Sequence, residues 1–409
     1  NVVHAVAAQP RREPRLQWVA IAAALLLGLG VVAGLMSSRL AHRATVPGNP
    51  KASPVADYGP PPSGVPLLYV HDPNHPSWLI GYDWSGKPRG TVKLSTDLAQ
   101  NASGVQMTPD GSGFEVGGTY KGGTGTFLDR LGLPISTQTG STGDVGAMWA
   151  DDNQHQCLVT LSPTFVWGLS TLLPGQAPRP VAVIARDPGI GQSGISLAAC
   201  SFRNNQAILV RTTIAWPAEL WVVRLSDGTV LAHHSYGLSD RLSTVVASGD
   251  GLYIAENSAK GRMLDSPDTT QGAGSTTIRL VSRWSAIKLL DPSIQVLAFS
   301  ANDRFALEIP APSAQPEVLD WVAGVRDWTI GSGETLGTFA VEPIGDGFAL
   351  AFIAAPGVEA TPCGTTAQTA CGGQVDDPLR DILIVHGGDG TSTNPPSTTQ
   401  LPGRYVPTW

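Results

Sequence analysis

Residues 207–234, AILVRTTIAWPAELWVVRLSDGTVLAHH, hold one whole unit of what this chain repeats. Residues 207–212 form an apolar, β-branched run, residues 220–225 a second, Ser226-Asp227-Gly228 a tight turn, and residues 229–233 a third run. Such runs, bounded by Asp and Gly, read as strands joined by a hairpin. Three strands and a hairpin make most of one blade of a β-propeller, which is a four-stranded sheet.

Working outward, the same hairpin turn recurs as Trp84-Ser85-Gly86-Lys87, Leu131-Gly132-Leu133-Pro134, Pro174-Gly175-Gln176, Trp284-Ser285-Ala286, Gly331-Ser332-Gly333 and Gly388-Asp389-Gly390. Marked at Gly86, Gly132, Gly175, Gly228, Ser285, Ser332 and Gly390, the seven turns lie 43 to 58 residues apart. Propeller repeats run roughly 40 to 50 residues per blade, with insertions in loops. Seven turns predict seven blades, with six as the alternative.

A different turn precedes each trio of strands: Thr108-Pro109-Asp110-Gly111, Asp151-Asp152-Asn153, Arg203-Asn204-Asn205, Gly249-Asp250-Gly251, Ala301-Asn302-Asp303 and Gly345-Asp346-Gly347. Asp, Asn and Gly suit these places because a short hairpin needs a positive φ or a side chain that caps its own turn. The Thr108-Pro109-Asp110-Gly111 turn resembles the innermost hairpin of WD40-like and TolB-like β-propeller repeats; the other five keep only the acid, amide or glycine, and the Gly-His and Trp-Asp signatures of WD40 blades are absent. The resemblance covers residues 67–409 and implies a fold, not an activity. Six such turns stand against seven of the other kind, so the first blade lacks an inner strand. Residues 401–406 are the candidate for the missing fourth, which would close the ring and remove its exposed edges.

Composition agrees with an all-β reading. The 409 residues are 42% hydrophobic but only 14% charged, with 47 Gly and 33 Pro; that combination favours many short strands joined by turns. No long amphipathic helix is visible after residue 67.

The first 66 residues differ in kind. Residues 16–36, LQWVAIAAALLLGLGVVAGLM, carry no charge; as a helix they would span about 31 Å, the thickness of a bilayer's hydrocarbon layer. No A-x-A cleavage site follows, so the reading is an uncleaved transmembrane helix rather than a signal peptide. Arg11, Arg12 and Arg15 precede it and Arg39 and Arg43 follow, which places the N-terminus on the cytoplasmic side by a small margin. Residues 45–66 contain seven prolines and form an extended spacer. The expected organisation is residues 1–15 as a short basic cytoplasmic segment, 16–36 as the membrane helix, 37–66 as a Pro-rich linker and 67–409 as an extracytoplasmic propeller. The chain opens at Asn1 rather than Met, so an upstream cytoplasmic part stays open.

The formal charge of −7 conceals a split. Beyond residue 51 there are 20 basic and 32 acidic residues, a net of −12. An acidic domain with no basic stripe disfavours nucleic acid as a partner.

Four cysteines are present. Cys363 and Cys371 flank a loop-like insertion, residues 356–377, and are expected to form a disulfide, since a zinc site would need ligands beyond His386. Cys157 opens the second strand of one blade and Cys200 ends the inner strand of the next, so a bridge and buried free thiols are both open. His233 and His234 are strand neighbours pointing to opposite faces, unsuited to a shared metal. His71, Asp72 and His75 read as a turn. The tryptophans are spread through the blades as packing between sheets, and Asn101-Ala102-Ser103 has the form of a glycosylation sequon.

Motifs of chemistry are missing: Gly191-Gln192-Ser193-Gly194 falls one residue short of a nucleophile elbow, and there is no HExxH, phosphate loop or dinucleotide fingerprint. Sialidase-like boxes are absent, and LSDGTVLAHH is a single match resembling quinoprotein repeats. No catalytic, cofactor-binding or metal-ligating residue is named. The preferred reading is a binding scaffold for a protein or envelope component, not an enzyme. The alternatives are a propeller enzyme with a central-channel site, hydrolase or quinoprotein-like, and a sensor whose cytoplasmic part lies upstream.

Overall fold

A computed structural model of the chain describes residues 56–407 apart from 73–74, 96–97, 99–104, 119–121, 142, 187–193, 213–217, 237–241, 259–275, 291–293, 311–314, 324, 330–334, 354–379 and 389–395. The expected membrane helix, the sequon at Asn101, and Cys363 and Cys371 lie outside the described residues. Among those described, no helix is long and apolar enough to cross a membrane.

Seven antiparallel blades follow one another in the chain. Blade 1 has β1 (Leu67–Asp72), β2 (His75–Asp83) and β3 (Pro88–Lys93); blade 2 has β4 (Val105–Met107), β5 (Gly113–Val116), β6 (Thr124–Asp129) and β7 (Pro134–Thr139). Blade 3 has β8 (Asp144–Trp149), β9 (Gln156–Leu161), β10 (Val166–Leu172) and β11 (Arg179–Arg186); blade 4 has β12 (Gly194–Ser201), β13 (Gln206–Thr212), β14 (Glu219–Arg224) and β15 (Val230–Ser235). Blade 5 has β16 (Leu242–Ala247), β17 (Tyr253–Ser258), β18 (Thr276–Leu280) and β19 (Ser285–Leu289); blade 6 has β20 (Ile294–Phe299), β21 (Phe305–Pro310), β22 (Glu317–Asp320) and β23 (Val325–Thr329). Blade 7 has β24 (Thr335–Val341), β25 (Gly347–Ile353), β26 (Arg380–His386) and β27 (Ser397–Pro407).

The count is seven, and the ring closes as the shortage of inner strands implied. β27 pairs along β26 as the fourth strand of blade 7, and then Val406 and Pro407 pair with His71 and Val70 of β1. Blades 7 and 1 therefore form one seven-stranded sheet. The closing contact falls at the end of the stretch expected for it.

Strand composition follows position in a blade. In β13, Ala207, Ile208, Leu209 and Val210 are all at most 3% exposed, because the second strand of a blade is covered on both faces and so reads as an unbroken apolar run. In β15, at the outer side of the same blade, exposed and half-buried residues alternate along its second half. Each seam between blades is filled by one apolar cluster: Leu67, Tyr69 and Val92 with Phe114 between blades 1 and 2, Phe127 with Leu158 between 2 and 3, and Trp167 with Trp221 between 3 and 4. Leu220 and Val222 meet Ile254 between blades 4 and 5, Ala255 and Ile278 meet Phe299 and Trp321 between 5 and 6, and Leu307 meets Phe348 between 6 and 7. Full burial of one such side chain stabilises by about 1.5–3 kcal/mol, so no single seam decides the fold. As expected, Trp84, Trp167, Trp221 and Trp321 are packing residues.

Two turns lie elsewhere than the sequence predicts. The hairpin of blade 6 lies between β22 and β23, at Trp321-Val322-Ala323, and Gly331-Ser332-Gly333 falls instead between β23 and β24. In blade 5 Ser285 already belongs to β19, and Trp284 carries the positive φ of 49°. A glycine pair advertises a turn more loudly than Trp-Val-Ala does, yet the register of the strands decides where the chain reverses. Where glycine is present it is needed: Gly228 has φ +75°, and a Cβ there would lie 2.0 Å from the Val181 carbonyl of the preceding blade.

Residues 57–61, expected as linker, lie along the outer strand of blade 1. The Thr91 amide donates to the Gly59 carbonyl (2.7 Å), Lys93 pairs with Asp57 (2.6 Å), and Arg130 donates to the Pro61 carbonyl. They cover an outer edge that would otherwise offer free backbone groups to another strand.

A disulfide joins Cys157 of β9 to Cys200 of β12 across the seam between blades 3 and 4, with the Cα atoms 6.0 Å apart. Of the two readings open for this pair, the bridge is the one present. It closes a loop over a sequence separation of 43. Replacing both cysteines by alanine is expected to lower stability by about 2–4 kcal/mol, read from the denaturant midpoint in non-reducing buffer. An unchanged midpoint would mean the seam is held by packing alone.

Candidate functional site

Because successive strands of a blade run antiparallel, the connections between its first and second strands and between its third and fourth leave from one rim. Those between second and third strands, and between blades, leave from the other. The two rims are built differently.

The first rim is made of tight turns that grip one another. In three of them a hydroxyl two residues ahead of an Asp or Asn anchors the turn: Thr108 Oγ1 donates to Asp110 (2.9 Å), Ser248 Oγ to Asp250 (2.7 Å) and Ser300 Oγ to Asn302 (2.6 Å). The same hydroxyls accept the amides of Gly113, Tyr253 and Phe305, each at 3.0 Å. Each turn then reaches its neighbour. The Asp110 amide donates to Asn153 Oδ1 (3.0 Å), Ser201 Oγ to Asp151 (2.7 Å), Asn204 Nδ2 to the Asp250 carbonyl (2.8 Å), and the Asn302 amide to the Gly345 carbonyl (3.0 Å).

Two groups on this rim have chemical potential. Asp303 is hydrogen-bonded to Asp250 of the adjacent blade; burial, then the charge of Asp250, pushes its carboxyl up to about 7. Two carboxyls in this relation share one proton. The second group is Glu342, Asp346 and His386, whose ligand atoms are close enough to surround a cation. His386 Nε2 donates to the Trp84 carbonyl (2.8 Å), and Nδ1 lies 3.1 Å from Asp346 and 3.6 Å from Glu342. Asp346 also accepts the Gly388 amide (2.7 Å) and Glu342 the Gly347 amide (3.0 Å). Burial pushes the Glu342 carboxyl up. With both ring nitrogens engaged, the arrangement is a latch between blades 7 and 1.

The second rim receives the long connections. The ends of β17 and β18 there flank residues 259–275, and those of β25 and β26 flank residues 354–379, which include Cys363 and Cys371. Phe165, in the turn between β9 and β10, is 40% exposed and has φ 58°. A bulky side chain in the left-handed region costs about 1–2 kcal/mol, and this one presents an aromatic ring to solvent.

Blade 4 carries polar groups up to this rim on both faces. On one, Glu219 accepts from Arg211 Nη1 (2.7 Å) and contacts His233 Nε2 (3.1 Å), while His233 stacks on Trp221 with ring centroids 5.1 Å apart. On the other, Arg279 (2.6 Å) and the Tyr236 hydroxyl both donate to Glu256, while His234 stacks on Trp284 of the turn between β18 and β19. Burial lowers the His234 value and raises that of Tyr236. The two histidines thus face opposite ways, as strand alternation required. His75 lies 3.6 Å from Asp72, and the structure adds no third ligand to them among the described residues.

No family of known proteins matches the chain, and no curated protein matches it. Solved structures similar to it include one named as a β-propeller domain. A eukaryotic initiation factor is 11% identical, with 84% of this chain and 98% of that one covered and a TM-score of 0.44. The β-propeller domain of Cps50 (Swd1) from Myceliophteria thermophila is 10% identical, over 70% and 90%, with a TM-score of 0.44. Kluyveromyces lactis Hsv2 is 12% identical, over 82% and 97%, with a TM-score of 0.41. At these values the likeness says nothing about activity.

Two measurements test this rim. Between 3.8, the ordinary aspartate value, and about 7, folded Asp303 keeps a proton that the unfolded chain releases. Stability should therefore fall as pH rises through that window and level off above it. Asp303→Asn should remove this slope, a difference on the order of 1–2 kcal/mol after discounting partial exposure; Tm for variant and wild type at pH 5 and pH 8 reads it, and a constant offset would rule out the shared proton. At the latch, His386→Gln should cost on the order of 1–2 kcal/mol and Zn²⁺ should leave Tm unchanged. A Zn²⁺-dependent rise lost in the variant would make the trio a metal centre instead.

Proposed function

We propose that this chain is a membrane-tethered, TolB-like β-propeller that acts outside the cytoplasm as a binding scaffold for a protein or envelope component, engaged through the second rim. The observation that carries this reading is the contrast between rims. One is consumed by bonds between neighbouring turns, whereas the other collects the long connections and holds Phe165 in a costly, solvent-facing conformation. Binding surfaces are commonly built on loops carried by a rigid frame.

The location rests on sequence and on one bond. The uncharged run at residues 16–36 and the Pro-rich stretch after it support a single-pass anchor with a cytoplasmic N-terminus and an extended tether. The Cys157–Cys200 bridge supports an oxidising compartment, and a second bridge between Cys363 and Cys371 belongs to the same proposal. The net charge of −12 beyond residue 51 argues against nucleic acid. A second reading, an enzyme, has one observation behind it: the Asp250–Asp303 pair would be poised for proton transfer near neutral pH.

Rim-specific crosslinking on the intact, anchored chain separates these ideas. With p-benzoylphenylalanine in place of Phe165, light should trap a partner; in place of Ile344, an exposed residue of the first rim, it should not. Trapping from Ile344 alone would reverse the assignment. Phe165→Gly should raise stability by about 1 kcal/mol through relief of φ strain while weakening partner capture. A variant both more stable and fully competent would show the ring to be idle.

A further inference from the structure

We propose that Arg211, at the second-rim end of β13, is the anchor of a carboxylate-binding site on the face of blade 4 that meets blade 3. The residue is charged and its side chain is only 8% exposed. Its Nη1 is taken by Glu219, but Nε and Nη2 have no hydrogen-bond partner among the described residues. These two atoms are not scattered. They form one edge of the guanidinium, the edge whose parallel N–H groups match the two oxygens of a carboxylate or phosphate. Leaving such an edge buried and unmatched costs more than almost any other polar defect.

The surroundings select the ligand. Glu219 already places one negative charge beside the guanidinium, so a dianionic phosphate would meet repulsion where a singly charged, planar carboxylate meets little. The Trp221 ring lies 5.4 Å from the guanidinium carbon and is stacked with His233, giving an aromatic wall beside the fork. His233 is held by Glu219 through Nε2 and has a side-chain exposure of 45%, so the open side of the group is the histidine side. The chemistry recognised is a carboxylate on an apolar or aromatic body, whether the free acid of a small molecule or the terminal carboxylate of a peptide. Among the described residues, Glu219 pairs with Arg211 and His233 with Glu219.

The site lies at the rim assigned to recognition, but its test uses a small acid and stands whether or not a macromolecular partner is trapped. The full-length protein is titrated with benzoate and, separately, with the neutral isostere benzamide, following Tm and the His233 ring resonance, which is assigned with His233→Gln. Benzoate should raise Tm saturably and move the His233 resonance, and benzamide should do neither. Arg211→Lys keeps the charge but not the fork and should weaken apparent benzoate affinity at least tenfold. If that variant fails to fold, the benzoate-against-benzamide contrast at His233 in the wild type decides alone. Identical responses to the two ligands, wild-type affinity in Arg211→Lys, or no response to benzoate in the wild type would each overturn the proposal; inorganic phosphate binding more tightly than benzoate would overturn the choice of a carboxylate. A short peptide with a free C-terminus that competes with benzoate, while its amide does not, assigns the peptide source. Failure to compete assigns the small acid.

Discussion

The ring depends on one backbone constraint: a blade of three strands has an unpaired inner edge, and nothing in its own stretch of chain can cover it. β27 supplies the cover by serving two blades in succession, first along β26 and then, at Val406 and Pro407, against β1. Amide and carbonyl groups that would face solvent or another molecule are thereby paired within the domain. Tyr82 and Tyr405, whose hydroxyls are 2.7 Å apart, and the His386 bond to the Trp84 carbonyl reinforce the same seam with side chains. The opposite edge of blade 1 is covered by residues 57–61, so both sides of the junction are occupied.

Closure explains why the remaining seams can be ordinary. Each is a patch of Leu, Val, Ile and aromatic residues between two sheets, with the Cys157–Cys200 bridge added between blades 3 and 4, and none has to hold the ring shut. The polar work is displaced to the rims. On the first, hydroxyl, carboxyl and amide groups are matched within and between turns, which leaves little capacity for a ligand; even the most perturbed carboxyl there, Asp303, has its partner in the neighbouring blade. On the second, the connections lengthen, an aromatic ring is held out at Phe165, and a guanidinium fork is buried at Arg211 with one edge unmatched among the described residues. Rigidity on one side and unmet chemistry on the other is the division expected of a scaffold that presents a binding surface.

Much of this was legible beforehand. Six turns built on Asp, Asn or Gly stand between first and second strands where the sequence placed them, and Cys157 and Cys200 are bonded across neighbouring blades. The two misplaced hairpins show the weak point: in blade 6 a glycine-rich segment drew attention from Trp321-Val322-Ala323, whose reversal depends on strand register. The hydroxyls of Ser248 and Ser300 carry a further local signal, since Ser or Thr two residues before Asp or Asn marks three turns of the first rim. Glu342, Asp346 and His386 had no such signal. His386 joins the other two because β26 pairs with β25 in the register that sets Gly347 opposite it.

The sequence by itself determined the all-β class and pointed to seven repeats with six as the alternative, to the shortage of one inner strand and to the end of the chain that supplies it, because each is written in local alternation and turn chemistry. It also determined that His233 and His234 would face apart. Only the tertiary structure decided which turns bond to which, that Asp303 meets Asp250, and that Arg211 is buried beside Glu219, Trp221 and His233 with half of its fork unmatched. Those relations join residues of different strands or blades, and a partner's distance in space is set by pairing register and by the packing of one sheet on the next, neither of which a linear pattern records.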